Sequence, residues 1–217
     1  MIPVICVVGR SGTGKTTVME KLIREMKGRG YRVAVLKHTK DDAEWDHPEK
    51  DSWRLSRAGS DMVLLGTPQR VMTNRIMGKD VGLEGLMRLV GGDFDIVLAE
   101  GFHESNALKI EVHRKEAAQE MLAPRKGLMA VITDEKLETR LPQFALDDVR
   151  EITDFIESKL LTSKDVQDVG LFVNGVPVRT SFFVQDIISR TLKGMISSLK
   201  GVEEVVSIDI WVREKQE

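Results

Sequence analysis

The chain has 217 residues, 41% of them hydrophobic and 30% charged, with a formal net charge of −2. That length buries a full core, as one large domain or as one domain with a small appendage, and the balanced charge argues against a broad electrostatic footprint for nucleic acid. No apolar run approaches the length that crosses a bilayer, so neither nucleic acid nor a membrane is an expected partner.

Val4-Ile5-Cys6-Val7-Val8 is a short apolar run, the pattern of a strand buried in a parallel sheet. The first residues enter it without a signal-peptide pattern. Cys6 is the single cysteine and offers no intramolecular disulfide, so the expected location is the reducing cytoplasm. Gly9 to Thr16 then read G-R-S-G-T-G-K-T and match the phosphate-loop pattern G-x-x-x-x-G-K-[ST] at every fixed position. Helical spacing of Val18, Met19, Leu22, Ile23 and Met26 follows. Strand, glycine loop and helix in this order suit phosphate chemistry. The glycines let backbone N–H groups turn inward around a β-phosphate, and the helix N-terminus adds partial positive charge. Lys15 can reach the β- and γ-phosphates, and the Thr16 hydroxyl can join a Mg²⁺ shell. The expected nucleotide contacts are Gly9, Arg10, Ser11, Gly12, Thr13, Gly14, Lys15, Thr16 and Thr17.

Lys27-Gly28-Arg29-Gly30 stops this helix, and Tyr31 to Lys37 reads as a second strand. Lys37-His38 ends it, and Asp41, Asp42, Asp46, His47 and Asp51 follow in a polar loop over 38–50 and just beyond. Strand ends are where parallel sheets place ligands. An acid from this stretch, Asp51 in our assignment, is a candidate to complete the Mg²⁺ shell, and His38 could touch a phosphate or hold the loop. Asp51 to Ala58 fits a short helix, Asp61 to Leu65 and Arg70 to Thr73 fit short strands, and Gly82 to Val90 has helical spacing.

Phe94 to Glu100 is another buried strand, and it ends in an acid followed by Gly101. In a phosphate-loop fold such a strand delivers its carboxylate near Mg²⁺. Glu100 would bind the metal through water or polarise an attacking water, and Gly101 would let the backbone approach the γ-phosphate. Lys15 and Glu100 are therefore the candidate catalytic pair, and Thr16, Glu100 and Asp51 the candidate metal shell. Lys109 to His113 and Met129 to Ile132 read as two more strands, separated by a helix-like segment from Lys115 to Leu122. His103 and His113 read as ordinary surface or strand residues. The second of these two strands runs into Thr133-Asp134. A carboxylate there can accept from both N1–H and the exocyclic amine of guanine, a donor pair that adenine lacks. A turn-initiating aspartate is the competing reading.

Asp148 to Leu161 fits a closing helix. Strands alternating with helices imply a three-layer α/β/α fold with a mainly parallel sheet, of the phosphate-loop NTPase kind. The polar stretch 162–169 is the candidate linker, dividing a nucleotide domain over 1–162 from an extension over 170–217. In the extension, Asn174-Gly175 sits between two short apolar runs as a hairpin turn, and Pro177 suits an edge strand. Phe183, Ile187, Ile188, Leu192, Met195, Ile196 and Leu199 mark a helix face, and residues 206–212 alternate like a half-exposed strand. The extension therefore reads as a small ββαβ unit, too small to fold well without docking on a larger surface.

Taken in order, G-R-S-G-T-G-K-T, V-A-V-L-K-H, K-D-S-W-R-L-S-R-A-G-S, D-I-V-L-A-E-G-F and L-K-I-E-V-H-R resemble the molybdopterin-guanine dinucleotide biosynthesis protein B family, MobB, over residues 2 to 160. The resemblance implies a GTP-binding homodimer that uses GTP and Mg²⁺ and has weak GTPase activity at most. It implies a partner in the guanylyltransferase that joins GMP to molybdopterin, and in molybdopterin-dependent enzymes. Three other readings stay open from the residues themselves. They are a small-molecule or nucleoside kinase with Arg54, Arg57 and Arg70 over the phosphates, a metallochaperone GTPase using the loop histidines, and an interaction module driven by the extension.

Overall fold

The computed structural model describes residues 2–39, 47, 49–77, 81–117, 120–121, 126–161, 169–173, 176–178, 180–202, 204–205, 207–210 and 212. Its main sheet contains β1 (Val4–Val8), β2 (Val33–Lys37), β5 (Ile96–Glu100), β6 (Leu108–His113), β7 (Leu128–Thr133) and β8 (Gln143–Phe144). The spatial order is β2-β5-β1-β6-β7-β8, and every neighbouring pair is parallel. Strand β1 is the switch point. The chain leaves it through α1 (Lys15–Gly28) toward β2 on one side, while β6 and β7 lie on the other. Open parallel sheets bind ligands in the crevice outside the strand C-termini at such a point.

Both faces of the sheet are covered, and alternation along each strand decides which residue goes where. On one face Ile5, Val7, Ile96, Leu98, Ile110, Val112 and Ile132 pack with Val18, Leu22 and Met26 of α1 and with Ile152 and Ile156 of α4 (Val149–Ile156). Full burial of each such aliphatic side chain contributes roughly 1.5–3 kcal/mol relative to exposure, so this face anchors the loop between β1 and α1. On the other face Cys6, Val8 and Ala99 meet Leu83 of α3 (Leu83–Val90), with Met87 and Phe102 alongside. Burial pushes the Cys6 thiol above its ordinary pKa, which agrees with its reading as a small apolar residue. At the end of α1, Arg29 binds Glu25 at 2.8 Å, Asp154 at 2.6 Å and Glu157 at 2.8 Å, so one guanidinium ties α1 to α4 and the turn after it.

The three-layer α/β/α architecture agrees with the sequence reading, with differences in detail. Strands β3 (Met62–Gly66) and β4 (Val71–Arg75) form a separate antiparallel hairpin rather than joining the main sheet. Helix α2 (Asp51–Arg57) precedes it. The expected helix over 115–122 is not formed at its start, because Lys115 to Ala117 make a turn closed by Ala117 N–H donating to the Arg114 carbonyl; 118, 119 and 122 lie outside the described residues. The closing helix widens after Ile156 into a π-helical turn over Glu157–Leu161.

In the extension, β9 (Phe172–Val173) and β10 (Val176–Pro177) pair antiparallel, and α5 (Phe182–Ser197) starts with Ser181 capping the Val184 N–H. Asn174 and Gly175, most of the linker, and Val206 and Trp211 lie outside the described residues. Residues 207–210 and 212 are not in a strand. The described part of the extension is therefore ββα rather than ββαβ.

Candidate nucleotide site

The phosphate loop leaves β1 at Gly9, whose φ is +144° and whose missing side chain matters, since a Cβ there would collide with the Val112 carbonyl of β6. Only glycine permits this close passage of two backbones. The loop then folds on itself. The Thr13 hydroxyl, on a buried residue, donates to the Arg10 carbonyl at 3.0 Å, and the Lys15 ammonium donates to the same oxygen at 2.9 Å. Gly14, left-handed at φ +87°, turns the chain into α1. Having no side chain it cannot cap, so the first N–H groups of α1 stay available to an anion. Arg10, Ser11, Gly12, Thr16 and Thr17 line the exposed rim.

Strand β5 brings the second element. The Thr16 hydroxyl donates to Glu100 Oε2 at 3.1 Å, joining residues 84 positions apart. The Lys37 ammonium at the end of β2 stands 3.7 Å from the same oxygen. A threonine hydroxyl and a carboxylate side by side are oxygen donors that suit a hard cation. Mg²⁺ commonly takes one or two protein oxygens and completes its shell with phosphate and water, so the pair fits that ion. The backbone after Glu100 turns sharply, with φ of +93° at Gly101 and +58° at Phe102. Gly101 N–H donates to the Val7 carbonyl, His38 N–H donates to the Glu100 carbonyl, and the His38 and Phe102 rings lie 5.0 Å apart. A left-handed non-glycine residue such as Phe102 costs strain, and such strain clusters at ligand sites. His38 thus holds the turn beside Glu100, one of the two roles its position suggested.

Asp51 is not brought to this pair. It is highly exposed at the start of α2, and its described partner is Arg54 at 3.6 Å. Asp41, Asp42 and Asp46 lie outside the described residues. No cluster of three or more histidine, cysteine or acidic side chains forms among the described residues. Arg54 is engaged with Asp51, and Arg57 stacks on Trp53 at 5.8 Å.

At the far side of the loop, Asp134 follows β7. One of its oxygens accepts from the Lys115 N–H at 3.0 Å, and it stays exposed. A carboxylate has about four acceptor sites, so capacity for a base edge remains. Thr133 turns away, its hydroxyl donating to the Glu135 carbonyl at 3.1 Å and accepting from the Glu135 N–H at 3.2 Å. His113 is a strand residue of β6, one of the two readings given for it; it is buried and meets the partly exposed Glu135 at 3.1 Å. The sequence reading missed Arg114, which lies against the phosphate loop from the end of β6. Its position becomes visible only once β6 is known to neighbour β1.

The family model described as molybdopterin guanine dinucleotide synthesis protein B matches residues 4–134, the span that carries every residue of this site. The molybdopterin-guanine dinucleotide biosynthesis adapter protein of Haemophilus influenzae is 36% identical over 160 residues, covering 73% of this chain and 90% of that protein. A solved structure of molybdopterin-guanine biosynthesis protein B superposes with a TM-score of 0.59 at 29% identity, covering 72% of this chain and 99% of that one. A putative adapter protein of the same description from Methanocaldococcus jannaschii is 25% identical and aligns over 95% of this chain and 96% of its own length, so its alignment takes in the extension as well.

Proposed function

Since the chain belongs to the molybdopterin guanine dinucleotide synthesis protein B family, we propose that its site holds GTP and Mg²⁺ on behalf of a partner enzyme. The protein is an adapter of molybdopterin-guanine dinucleotide biosynthesis, the role for which its relatives are named. The observation that carries the nucleotide reading is the hydrogen bond from Thr16 of the phosphate loop to Glu100 of β5, which sets a metal-binding pair at the loop's mouth. Lys15 neutralises the β- and γ-phosphates, Gly9 to Thr17 and Gly101 surround them, and Asp134 forms the guanine side, with Thr133 shaping the turn that carries it. The guanylyltransferase that consumes GTP to modify molybdopterin is the partner this chemistry serves, with molybdopterin-dependent enzymes downstream, and the cytoplasm is its place of work. All of these residues precede 162, which supports a nucleotide domain over 1–162 with 170–217 as an added surface.

An adapter holds nucleotide rather than spending it. Gln143 and Gln185 are engaged elsewhere, with Leu137 and Thr180, and stimulating arginines commonly come from a partner. Calorimetry should show GTP binding that weakens on chelation of Mg²⁺, and turnover by the isolated protein should stay far below the roughly 10 s⁻¹ typical of enzymes. Turnover near that value, or phosphoryl transfer to a small acceptor, would replace this reading with an enzymatic one.

The homodimer has its own support. Leu64, Leu65, Val71, Met72 and Ile76 are exposed on or beside the β3–β4 hairpin. A lone two-stranded hairpin is marginal in water, and a second copy of the same hairpin would cover these side chains. Leu64→Glu should shift sedimentation from dimer to monomer while GTP affinity changes little. A wild-type monomer at micromolar concentration would end this part of the reading.

A further inference from the structure

Arg114 is the first residue after β6, and it is used by nothing described so far. Its guanidinium lies over Gly14: a Cβ on that glycine would stand 3.6 Å from Nη2 and 3.8 Å from Cζ and Nε. Glycine at 14 therefore serves two ends, the left-handed turn into α1 and the open face on which the guanidinium rests. Arg114 Nε is buried and has no hydrogen-bond partner among the described residues. A buried N–H of a charged group left without a partner is costly, and such a group in a native structure calls for a ligand or another explanation.

The neighbouring acid does not supply that partner. Asp147 feels the charge of Arg114, yet its carboxylate is bound to Lys21 at 2.6 Å, and that hydrogen bond is the main cause of its lowered pKa. Lys115 is tied through its N–H to Asp134. Arg114 thus lies beside the glycine that opens α1, one residue before the backbone that binds the aspartate on the guanine side. A nucleotide whose distal phosphates occupy the loop and whose base reaches Asp134 must pass its ribose-proximal phosphate through this interval.

We propose that Arg114 binds the ribose-proximal phosphate of the nucleotide, the one phosphate common to GTP, GDP and GMP. This assignment rests on the GTP-binding reading above. The guanidinium offers several donors in a rigid plane that matches phosphate oxygens. Lying beside the loop rather than across its mouth, it acts on substrate and product alike.

The test is a titration of GTP, GDP and GMP, each with Mg²⁺, into wild type, Arg114→Gln and Arg114→Lys, with a thermal melt of each protein without nucleotide. Arg114→Gln should weaken all three equally, by roughly 10- to 100-fold, whereas a loss that spares GMP would move the contact to the middle phosphate and overturn the assignment. Arg114→Lys should recover part of the loss, because charge returns without the planar fork. A loss confined to GTP would move the contact to the terminal phosphate and overturn the assignment. Lower melting temperature with unchanged affinity would make Arg114 a structural residue and overturn it as well. Should Arg114→Gln fail to fold, the comparison of Arg114→Lys with wild type decides alone, by the same equal-loss criterion. Failure of the wild type to bind any of the three nucleotides would instead remove the GTP reading, and Arg114's assignment with it.

Discussion

Lys15→Ala is expected to lower GTP affinity at least about 100-fold while the fold survives. The fold should survive because α1 is anchored elsewhere, by buried Val18, Met19, Leu22 and Met26 against the sheet. The ammonium of Lys15 makes one described hydrogen bond, to the Arg10 carbonyl, and because that bond is exposed, water replaces it and its loss costs on the order of 1 kcal/mol. Binding loses far more. A lysine that leaves the Arg10 carbonyl for two phosphates makes charge-assisted contacts, each worth about 1.5–3 kcal/mol. Its removal also leaves the negative charge of the triphosphate without its nearest cation. A fluorescent GTP analogue measures the affinity, and a urea midpoint matching the wild type checks the fold. Unchanged affinity would take the phosphate loop out of the mechanism and leave the loop as a structural turn.

The elements most legible in the sequence are those whose signals are local. Strand β1, the glycine loop and α1 appear as an apolar run, a fixed-spacing motif and helical periodicity, and all three stand where expected. Glu100 is legible for the same reason, as an acid and a glycine closing an apolar strand. The unexpected features depend on long-range neighbours. In L-K-I-E-V-H the polar residues alternate as they would on a half-solvated strand, yet Lys109, Glu111 and His113 are all buried. The Lys109 ammonium is satisfied by the carbonyls of Ser105 and Ala107, and His113 by Glu135, partners that lie outside the strand and that no alternation announces. Strand β8 is two residues long and carries no period to read. The alternation over 206–212 suits a strand, yet 207–210 lie in none, because such a pattern reflects the face a strand could present and not the pairing that makes it one. Asp51 follows a strand end in the sequence, but the helix it opens turns it toward Arg54. The apolar stripe expected on α5 is helical but not buried, with Phe183, Ile187, Met195 and Leu199 exposed on it or just beyond. Periodicity predicts the helix; what covers its face is a separate question that periodicity does not answer.

Asp134→Asn is expected to reverse the choice of base. The carboxylate at the end of β7 accepts from the Lys115 N–H with one oxygen and has acceptor capacity left for two donors. Guanine presents N1–H and a 2-amino group, which such a carboxylate pairs. Adenine presents a bare N1 on that edge and would leave the acid unpaired, a mismatch for which sites of this kind discriminate strongly. In the variant, one acceptor oxygen becomes an NH₂ donor. That donor opposes the 2-amino group of guanine but pairs the 2-carbonyl of xanthine. GTP affinity should fall roughly 100-fold or more and xanthosine triphosphate should gain, since an unpaired donor and a lost charge-assisted bond act together. The amide oxygen can still accept from Lys115, so the turn should hold and the melting temperature should change little. Competition of GTP, ATP and xanthosine triphosphate against a labelled nucleotide, on wild type and variant, reads the outcome directly. If Asp134→Asn keeps full guanine preference, the selecting group lies elsewhere. Thr133 cannot easily supply it, because its hydroxyl is engaged on both sides by Glu135. Selection would then fall to the exposed Lys136 two residues on, whose ammonium donates to the guanine carbonyl and meets a donor on adenine.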